Sequence, residues 1–129
     1  MPDQERIKSV ITDYYTAIRE ADEKAWLATF AEDAVSNDPV GAPPHEGHEG
    51  LAHFFQEITS QFDEVALNEQ DIFIAGNGAG VKWTGEGTGK NGVDVNFEGI
   101  DVFEFNDEGT IQNLWAYWNP APVMAKLQS

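Results

Sequence analysis

Three side chains in this sequence, those of Asp38, Tyr14 and Asp101, are placed where acid–base chemistry is possible. Asp38 comes directly before Pro39, and a residue in that place is pushed out of the helical region into extended backbone. Because proline also fixes its own φ, we expect the Asp38 carboxylate to be held at a strand end with little freedom. A carboxylate held in this way either caps a turn or acts as a positioned base.

Asp101 lies in the most informative predicted strand, residues 93–105. The odd positions of this strand other than Asp101 are apolar or glycine: Val93, Val95, Phe97, Gly99, Phe103 and Phe105. A lone ionised carboxylate in that row would be costly, and no Lys or Arg obviously faces it, so we expect a neutral, protonated acid. The alternative is that Ile100 and Val102 mark a bulge that turns Asp101 toward solvent.

Tyr14 belongs to a predicted amphipathic helix, residues 3–20. The apolar side chains of this helix recur at spacings of three and four: Ile7, Val10, Ile11, Tyr14 and Ile18. Tyr14 is therefore expected on the buried stripe, whereas Tyr15, rotated by about 100°, is expected to be partly exposed. Taken alone, the pattern is more typical of a core tyrosine whose hydroxyl bonds a backbone carbonyl.

Considered together, these three residues are the set needed to remove a proton next to a carbonyl group. A phenol and a neutral carboxylic acid are both hydrogen-bond donors, and both can hold the oxygen of an enolate. An ionised aspartate nearby can act as the base. The sequence thus indicates Asp38 as the base and Tyr14 and Asp101 as the two donors.

The elements that must position these residues indicate an α+β fold. Besides the first helix, we expect a short helix capped by Asp22 and running through Phe30, and a third helix that follows Gly47 and ends near Phe62. The strand carrying Asp38 lies between the second and the third of these helices. Four strands follow at residues 65–75, 79–88, 93–105 and 110–118, separated by Gly- and Asn-rich turns. No helical pattern separates these strands, so we expect a curved, largely antiparallel sheet wrapped around the three N-terminal helices.

Length and charge limit the classes of function. The 129 residues suit a single domain, 1–129, and no run of 18 or more apolar residues indicates a membrane span. With 23 acidic and 7 basic residues, the net charge of −16 would repel phosphate backbones and anionic membranes. We therefore expect neither nucleic acid nor a membrane as partner. The absence of cysteine excludes thiolate chemistry and is typical of a cytoplasmic protein.

The sequence resembles the bacterial Δ5-3-ketosteroid isomerases, within the wider group of nuclear transport factor 2-like (NTF2-like) and SnoaL-like proteins. The resemblance covers roughly residues 7–119. It is carried by Tyr14, by residues 30–34 leading into Asp38-Pro39-Val40-Gly41, by Gly47, and by residues 100–103 with Phe105-Asn106 and Gly109. Any one of these features alone is weak, but the combination is fairly specific.

This resemblance implies a cone-shaped fold with an apolar pocket at its open end, and a homodimer formed through the sheet. Asp38 would carry a proton from C4 to C6 of a 3-oxo-Δ5 steroid, while Tyr14 and protonated Asp101 would donate to the C3 oxygen. No metal or organic cofactor is implied. A carboxylic acid kept neutral by an apolar site is a well-known feature of this enzyme family, so the role given to Asp101 as a donor follows from the resemblance.

A rigid apolar substrate requires apolar walls, for which the sequence offers several side chains. The candidates are Phe54, Phe55, Trp83, Phe103, Leu114 and Trp118. The chain departs from the family at Phe30 and Phe55, where well-studied members have tyrosines that hydrogen-bond the catalytic tyrosine. Two rival functions stay open: a SnoaL-like polyketide cyclase that uses Asp38 as acid or base, and a non-catalytic small-molecule-binding protein.

Two further motifs predict no site. His45 and His48 have a spacing that some metal sites use, but they lie beside Gly47 on a turn, and solvated histidines are the better interpretation. The glycine-rich run 85–90 resembles a phosphate-binding loop, yet a strand follows where a helix would be required.

Overall fold

The computed structural model describes residues 2–129 and has the expected α+β architecture. Its helices and strands follow one another along the chain as α1 Gln4–Arg19, α2 Glu23–Leu27, β1 Phe30–Asn37, β2 His45–Glu46, α3 Gly47–Thr59, β3 Phe62–Ala75, β4 Gly78–Gly89, β5 Asp94–Phe105, β6 Ile111–Tyr117 and α4 Ala121–Leu127. Within these residues, no helix is both long enough and apolar enough to cross a membrane.

A single mixed sheet of six strands, in the order β2-β1-β6-β5-β4-β3, forms one layer of the fold. Every neighbouring pair is antiparallel except β1 and β6, which run parallel. The long β3–β4 hairpin turns at Gly76 and Asn77, where Gly76 adopts a φ of 56° that a glycine tolerates without strain. The prediction of a largely antiparallel sheet is confirmed.

The helices cover the face of the sheet to which Asp101 points. Helix α1 begins after Asp3, whose side chain accepts a hydrogen bond from the Arg6 backbone, and it packs on β3 and on α2. In β5 the odd positions face this helical layer: Val95, Asp101, Phe103 and Phe105 are buried, whereas Ile100 and Val102 are exposed. The two-residue period of the strand therefore places Asp101 inside.

Several element boundaries differ from the predicted ones. Asp22 does cap α2, but the helix ends at Leu27, and Phe30 begins β1 because it pairs with Ile111 of β6. Helix α3 ends at Thr59, and Phe62 begins β3 instead of closing the helix. The short strand β2 and the C-terminal helix α4 were not predicted.

Candidate active site

An apolar cavity lies between the helical layer and the sheet, and Tyr14, Asp38 and Asp101 all line it. Its volume is about 70 Å³, measured as the space open to the centre of a water-sized sphere. The remaining lining side chains come from every layer of the fold: Ile18, Trp26, Phe54, Phe55, Ile58, Thr59, Phe62, Val65, Leu67, Trp83, Phe97, Trp118 and Met124. A few polar groups inside a mostly apolar pocket is the arrangement typical of small-molecule sites.

Asp38 stands just beyond the end of β1, half-buried, and is joined to Pro39 by a cis peptide bond. The backbone of the turn is tied to the sheet by a 2.9 Å hydrogen bond from the Val40 amide to the Ala116 carbonyl. Trp118 Nε1 donates to Asp38 Oδ1 at 2.7 Å. Oδ2 accepts no hydrogen bond from residues 2–129, so this oxygen is left available to a proton.

Opposing effects act on the pKa of Asp38. Burial raises it, while the hydrogen bond from Trp118 and the neighbouring His45 lower it, and the net shift is upward. A raised carboxyl pKa makes the ionised group a stronger base than a solvated aspartate. Asp38 is therefore suited chemically to accept a proton and to give it back.

Asp101 is 2% exposed and lies in the middle of β5, opposite Val81 and Ala116 of the neighbouring strands. Burial, and then the charge of Asp38, raise its pKa to about 8, although the hydrogen bond from Tyr15 and the nearby Trp83 indole, which is not itself hydrogen-bonded, lower it. The side chain is consequently neutral near pH 7 and can donate a hydrogen bond. The alternative of an outward bulge is wrong, since Ile100 and Val102 take the solvent side.

Tyr14 is 2% exposed, and its hydroxyl forms no hydrogen bond with any residue in the described part of the chain. Its ring is enclosed edge-on by aromatic neighbours, with centroids at 4.9 Å for Tyr15, 5.3 Å for Phe103 and 5.9 Å for Phe30. Burial and the charges of the two aspartates raise its pKa well above 10. The hydroxyl thus keeps its proton and is available to a ligand.

The Trp26 indole lies close enough to the Tyr14 hydroxyl to lower the tyrosine pKa, yet no hydrogen bond joins them. Trp26 is 2% exposed and its Nε1 has no partner within residues 2–129. It stands between the rings of Phe30 and Phe55, at centroid distances of 4.8 and 5.0 Å. The polar group beside the Tyr14 hydroxyl is therefore the indole N–H of Trp26, which can donate a hydrogen bond but cannot accept one.

Tyr15 is the residue that the sequence interpretation placed wrongly. It is fully buried, not partly exposed, and its hydroxyl donates to Asp101 Oδ2 at 2.7 Å. Helix α1 is covered both by β3 and by α2, so its buried stripe is wide enough to include two consecutive tyrosines. Their rings pack edge to face, so that a single turn of the helix directs the Tyr14 hydroxyl to the cavity and the Tyr15 hydroxyl to Asp101.

Of the six candidate wall residues, Phe54, Phe55, Trp83 and Trp118 line the cavity. Phe103 and Leu114 do not: they are paired across β5 and β6 and are buried in the core beside the site. The Phe103 ring packs on Tyr14, Tyr15 and Phe105, so it supports the tyrosines without facing the cavity.

The two motifs set aside in the sequence have structural explanations. His45 Nε2 contacts the Asp38 backbone carbonyl at 3.2 Å, and His48 Nε2 contacts the Phe30 backbone carbonyl at 3.0 Å. Both rings therefore bond to the backbone and are not fully solvated. Among residues 2–129, no group of three or more acidic or histidine side chains could hold a metal ion. Most of the glycine run lies in β4, where the Phe97 ring covers Gly85 and leaves no room for a Cβ.

The neutral state of Asp101 has a consequence for stability. Its pKa rises from 3.8 to about 8 on folding, so the folded state binds a proton that the unfolded state releases. The stabilisation is fully present below about pH 4 and is lost as the pH rises toward 8. We expect Asp101→Asn to flatten this part of the curve, as measured by urea unfolding between pH 5 and 8. Parallel curves for the two proteins would contradict a neutral Asp101.

The segment that carries Tyr14, Asp38 and Asp101 matches a known protein family. The model of a family described as a SnoaL-like domain matches residues 11–113. A steroid Δ-isomerase of Nocardioides simplex is 26% identical over 118 residues, covering 92% of this chain and 94% of that protein. The expected kinship with NTF2-like and SnoaL-like proteins is confirmed.

Solved structures with the same fold include an enzyme and a protein with a bound steroid derivative. SalBIII, an epoxide hydrolase/cyclase-like enzyme of pyran ring formation in the polyether salinomycin, is 25% identical with a TM-score of 0.84, covering 94% of this chain and 96% of its own. A Mycobacterium tuberculosis protein in complex with estradiol-17β-hemisuccinate is 20% identical with a TM-score of 0.79, covering 88% of this chain and 94% of its own. Because this Mycobacterium tuberculosis protein is only 20% identical, its similarity shows the shared fold alone.

Proposed function

We propose that this chain, which belongs to the SnoaL-like domain family, isomerises a steroid-like 3-oxo-Δ5 compound to the conjugated enone by intramolecular proton transfer. The observation that carries the proposal is one apolar cavity lined by a half-buried carboxylate, a neutral buried carboxylic acid and a buried phenol. The Nocardioides simplex relative supports it at the level of reaction class.

In the first step, Asp38 removes a proton from C4. The electron pair of the C4–H bond forms a C3=C4 double bond, and the π pair of the carbonyl moves onto the C3 oxygen to give a dienolate. Tyr14 and Asp101 donate hydrogen bonds to this oxygen, where the negative charge develops. In the second step, protonated Asp38 returns the same proton to C6 and the double bond moves into conjugation. The proton and the electron pair are both conserved, so these three residues are sufficient for the cycle.

The walls favour a rigid, apolar substrate. Each aromatic lining side chain offers a flat surface, and the hydrogen-bonding groups are concentrated at Tyr14, Asp38 and Asp101. A substrate with one carbonyl beside these three residues and a largely hydrocarbon body suits such a cavity. A steroid enone has this distribution of polarity.

The decisive experiment is an absorbance assay for conversion of 5-androstene-3,17-dione to its conjugated isomer. We expect a rate far above that of buffer and inhibition by a planar phenol that occupies the same cavity. A rate equal to that of buffer, with folded protein shown by circular dichroism, would rule out the steroid isomerase.

The second candidate function is a cyclase. SalBIII favours it, because it is as similar to this chain as the steroid isomerase is. In that case Asp38 would act as acid or base on a polyketide substrate, whose several oxygens would need more polar walls than this cavity has. Inactivity toward the steroid enone together with turnover of a polyether epoxide precursor would select the cyclase. Binding of either ligand without turnover would indicate a non-catalytic module.

We further propose that two copies associate through the outer face of the sheet. That face exposes an apolar row, with Phe73 at 73%, Tyr117 at 52%, Ile100 at 47% and Val102 at 37%. Ile100 pairs with Tyr117, and Val102 lies across Gly80 from Phe73, so the four side chains form one patch. Apolar patches on a protein surface mark interaction sites.

We expect light scattering to give twice the chain mass of 14.2 kDa for the unsubstituted protein. Val102→Lys should give the monomer mass, because it puts a charge inside the apolar patch. Ser9→Lys, which adds the same charge on the exposed side of α1, is the matched control and should stay dimeric. A monomer at high salt and high concentration in all three proteins would contradict the dimer.

A further inference from the structure

Tyr15 is fully buried, and its hydroxyl hydrogen-bonds to Asp101 Oδ2 at 2.7 Å. No other hydrogen bond of this hydroxyl is found within residues 2–129. A neutral carboxyl group carries its proton on one oxygen and accepts with the other. Because Tyr15 donates to Oδ2, that oxygen is the acceptor and the proton belongs on Oδ1.

We propose that Tyr15 is a positioning residue that fixes the Asp101 proton on Oδ1 and thereby directs this donor into the cavity. The inference rests on the proposed function, since it assigns how one donor of that reaction is oriented. Without Tyr15, the proton could lie on either carboxyl oxygen and the side chain could rotate. The donor would then be aimed correctly for only part of the time.

The contribution of Tyr15 to orientation can be separated from its effect on protonation. A hydroxyl that donates to a carboxyl group stabilises the ionised form, so Tyr15 lowers the pKa of Asp101 while burial raises it. Removing the hydroxyl should therefore keep Asp101 neutral to a higher pH and yet weaken its use as a donor. A merely structural tyrosine would not produce these two opposite changes together.

The test compares Tyr15→Phe with Ser9→Ala, which also removes one hydroxyl group from α1 but on its exposed side. The probe is 2-naphthol, a flat phenol whose oxygen resembles that of a dienolate, titrated by fluorescence at pH 6, where Asp101 is neutral in every protein. We expect about tenfold weaker binding for Tyr15→Phe, the loss of one hydrogen bond, and no change for Ser9→Ala. In an Asp101→Ala background, Tyr15→Phe should cause no further loss.

A second readout needs no ligand. Carbon-13 NMR of labelled aspartate carboxyls should show the pKa of Asp101 moving above its value of about 8 in Tyr15→Phe, with the resonance identified by its absence in Asp101→Asn. If Tyr15→Phe does not fold, proton NMR of the unsubstituted protein decides instead. The spectrum should contain a slowly exchanging resonance of the Tyr15 hydroxyl proton that shifts as Asp101 ionises. The absence of this resonance would overturn the hydrogen bond.

The outcomes separate this inference from the proposed function. Naphthol binding that is unchanged in Tyr15→Phe overturns the positioning role, whether or not the pKa moves. If the unsubstituted protein does not bind 2-naphthol, the inference that the Asp101 proton faces the cavity is overturned. Failure to turn over the steroid enone, with naphthol binding still sensitive to Tyr15, removes the isomerase and leaves the positioning role in place.

Discussion

Replacing Asp38 by Asn is expected to lower kcat for the steroid enone by about 10⁴-fold. An amide cannot accept the C4 proton, and no other carboxylate in the cavity can replace it, because Asp101 is neutral near pH 7. The amide oxygen can still accept the Trp118 indole hydrogen bond, so the geometry of the turn is preserved. The absorbance assay at pH 7 measures the change.

The control for this substitution is Asp13→Asn, which removes the same charge from the exposed side of α1 and should leave kcat unchanged. Binding of 2-naphthol should be retained or strengthened in Asp38→Asn, since the amide resembles the protonated aspartate that faces the dienolate. More than a tenth of the original kcat remaining in Asp38→Asn would mean that the base is elsewhere.

The positions of the three proposed site residues are those that local sequence rules determine well. The two-residue period of β5 put Asp101 inside, and the structure agrees because Ile100 and Val102 satisfy the exposed face. The helical spacing of α1 put Tyr14 on the buried side, and the following proline held Asp38 at the end of β1. Each of these inferences needs only the residues of one element.

What the sequence did not predict depends on contacts between distant elements. Phe30 has the spacing of an α2 residue, but pairing with Ile111, far along the chain, makes it the first residue of β1. Tyr15 is buried only because α1 is covered from two directions, and its partner Asp101 lies 86 residues away. The helical period of the sequence shows which side of α1 is buried, but it does not show how wide that buried side is.

The C-terminal helix α4 shows the same limit. Its seven residues are too few to show a clear period, and the proline content of the segment is typical of a loop. The helix forms because Val123 packs into a small cluster with Phe62 and Val95. Met124 of the same helix lines the cavity, so part of the site could be found only from the folded structure.

The second large effect is expected at Asp101. Asp101→Ala should lower kcat by about 10²- to 10³-fold, because a preorganised donor to the developing oxyanion is lost. Asp101→Asn should lose less, since its amide oxygen can accept from Tyr15 while its NH₂ group points to the cavity as a donor. Steady-state kinetics of the three proteins at pH 7 give the comparison.

The pH dependence of kcat distinguishes this donor role from a loss of packing. Only neutral Asp101 donates, so activity should fall as the pH rises through about 8 in the unsubstituted protein. Asp101→Asn cannot ionise and should lack this alkaline limb. Tyr14→Phe should be slower but keep it, because the pKa of Tyr14 is well above 10 and its proton is not lost near pH 8. An alkaline limb that persists unchanged in Asp101→Asn would mean that another group titrates, and Asp101 would then not be the neutral donor.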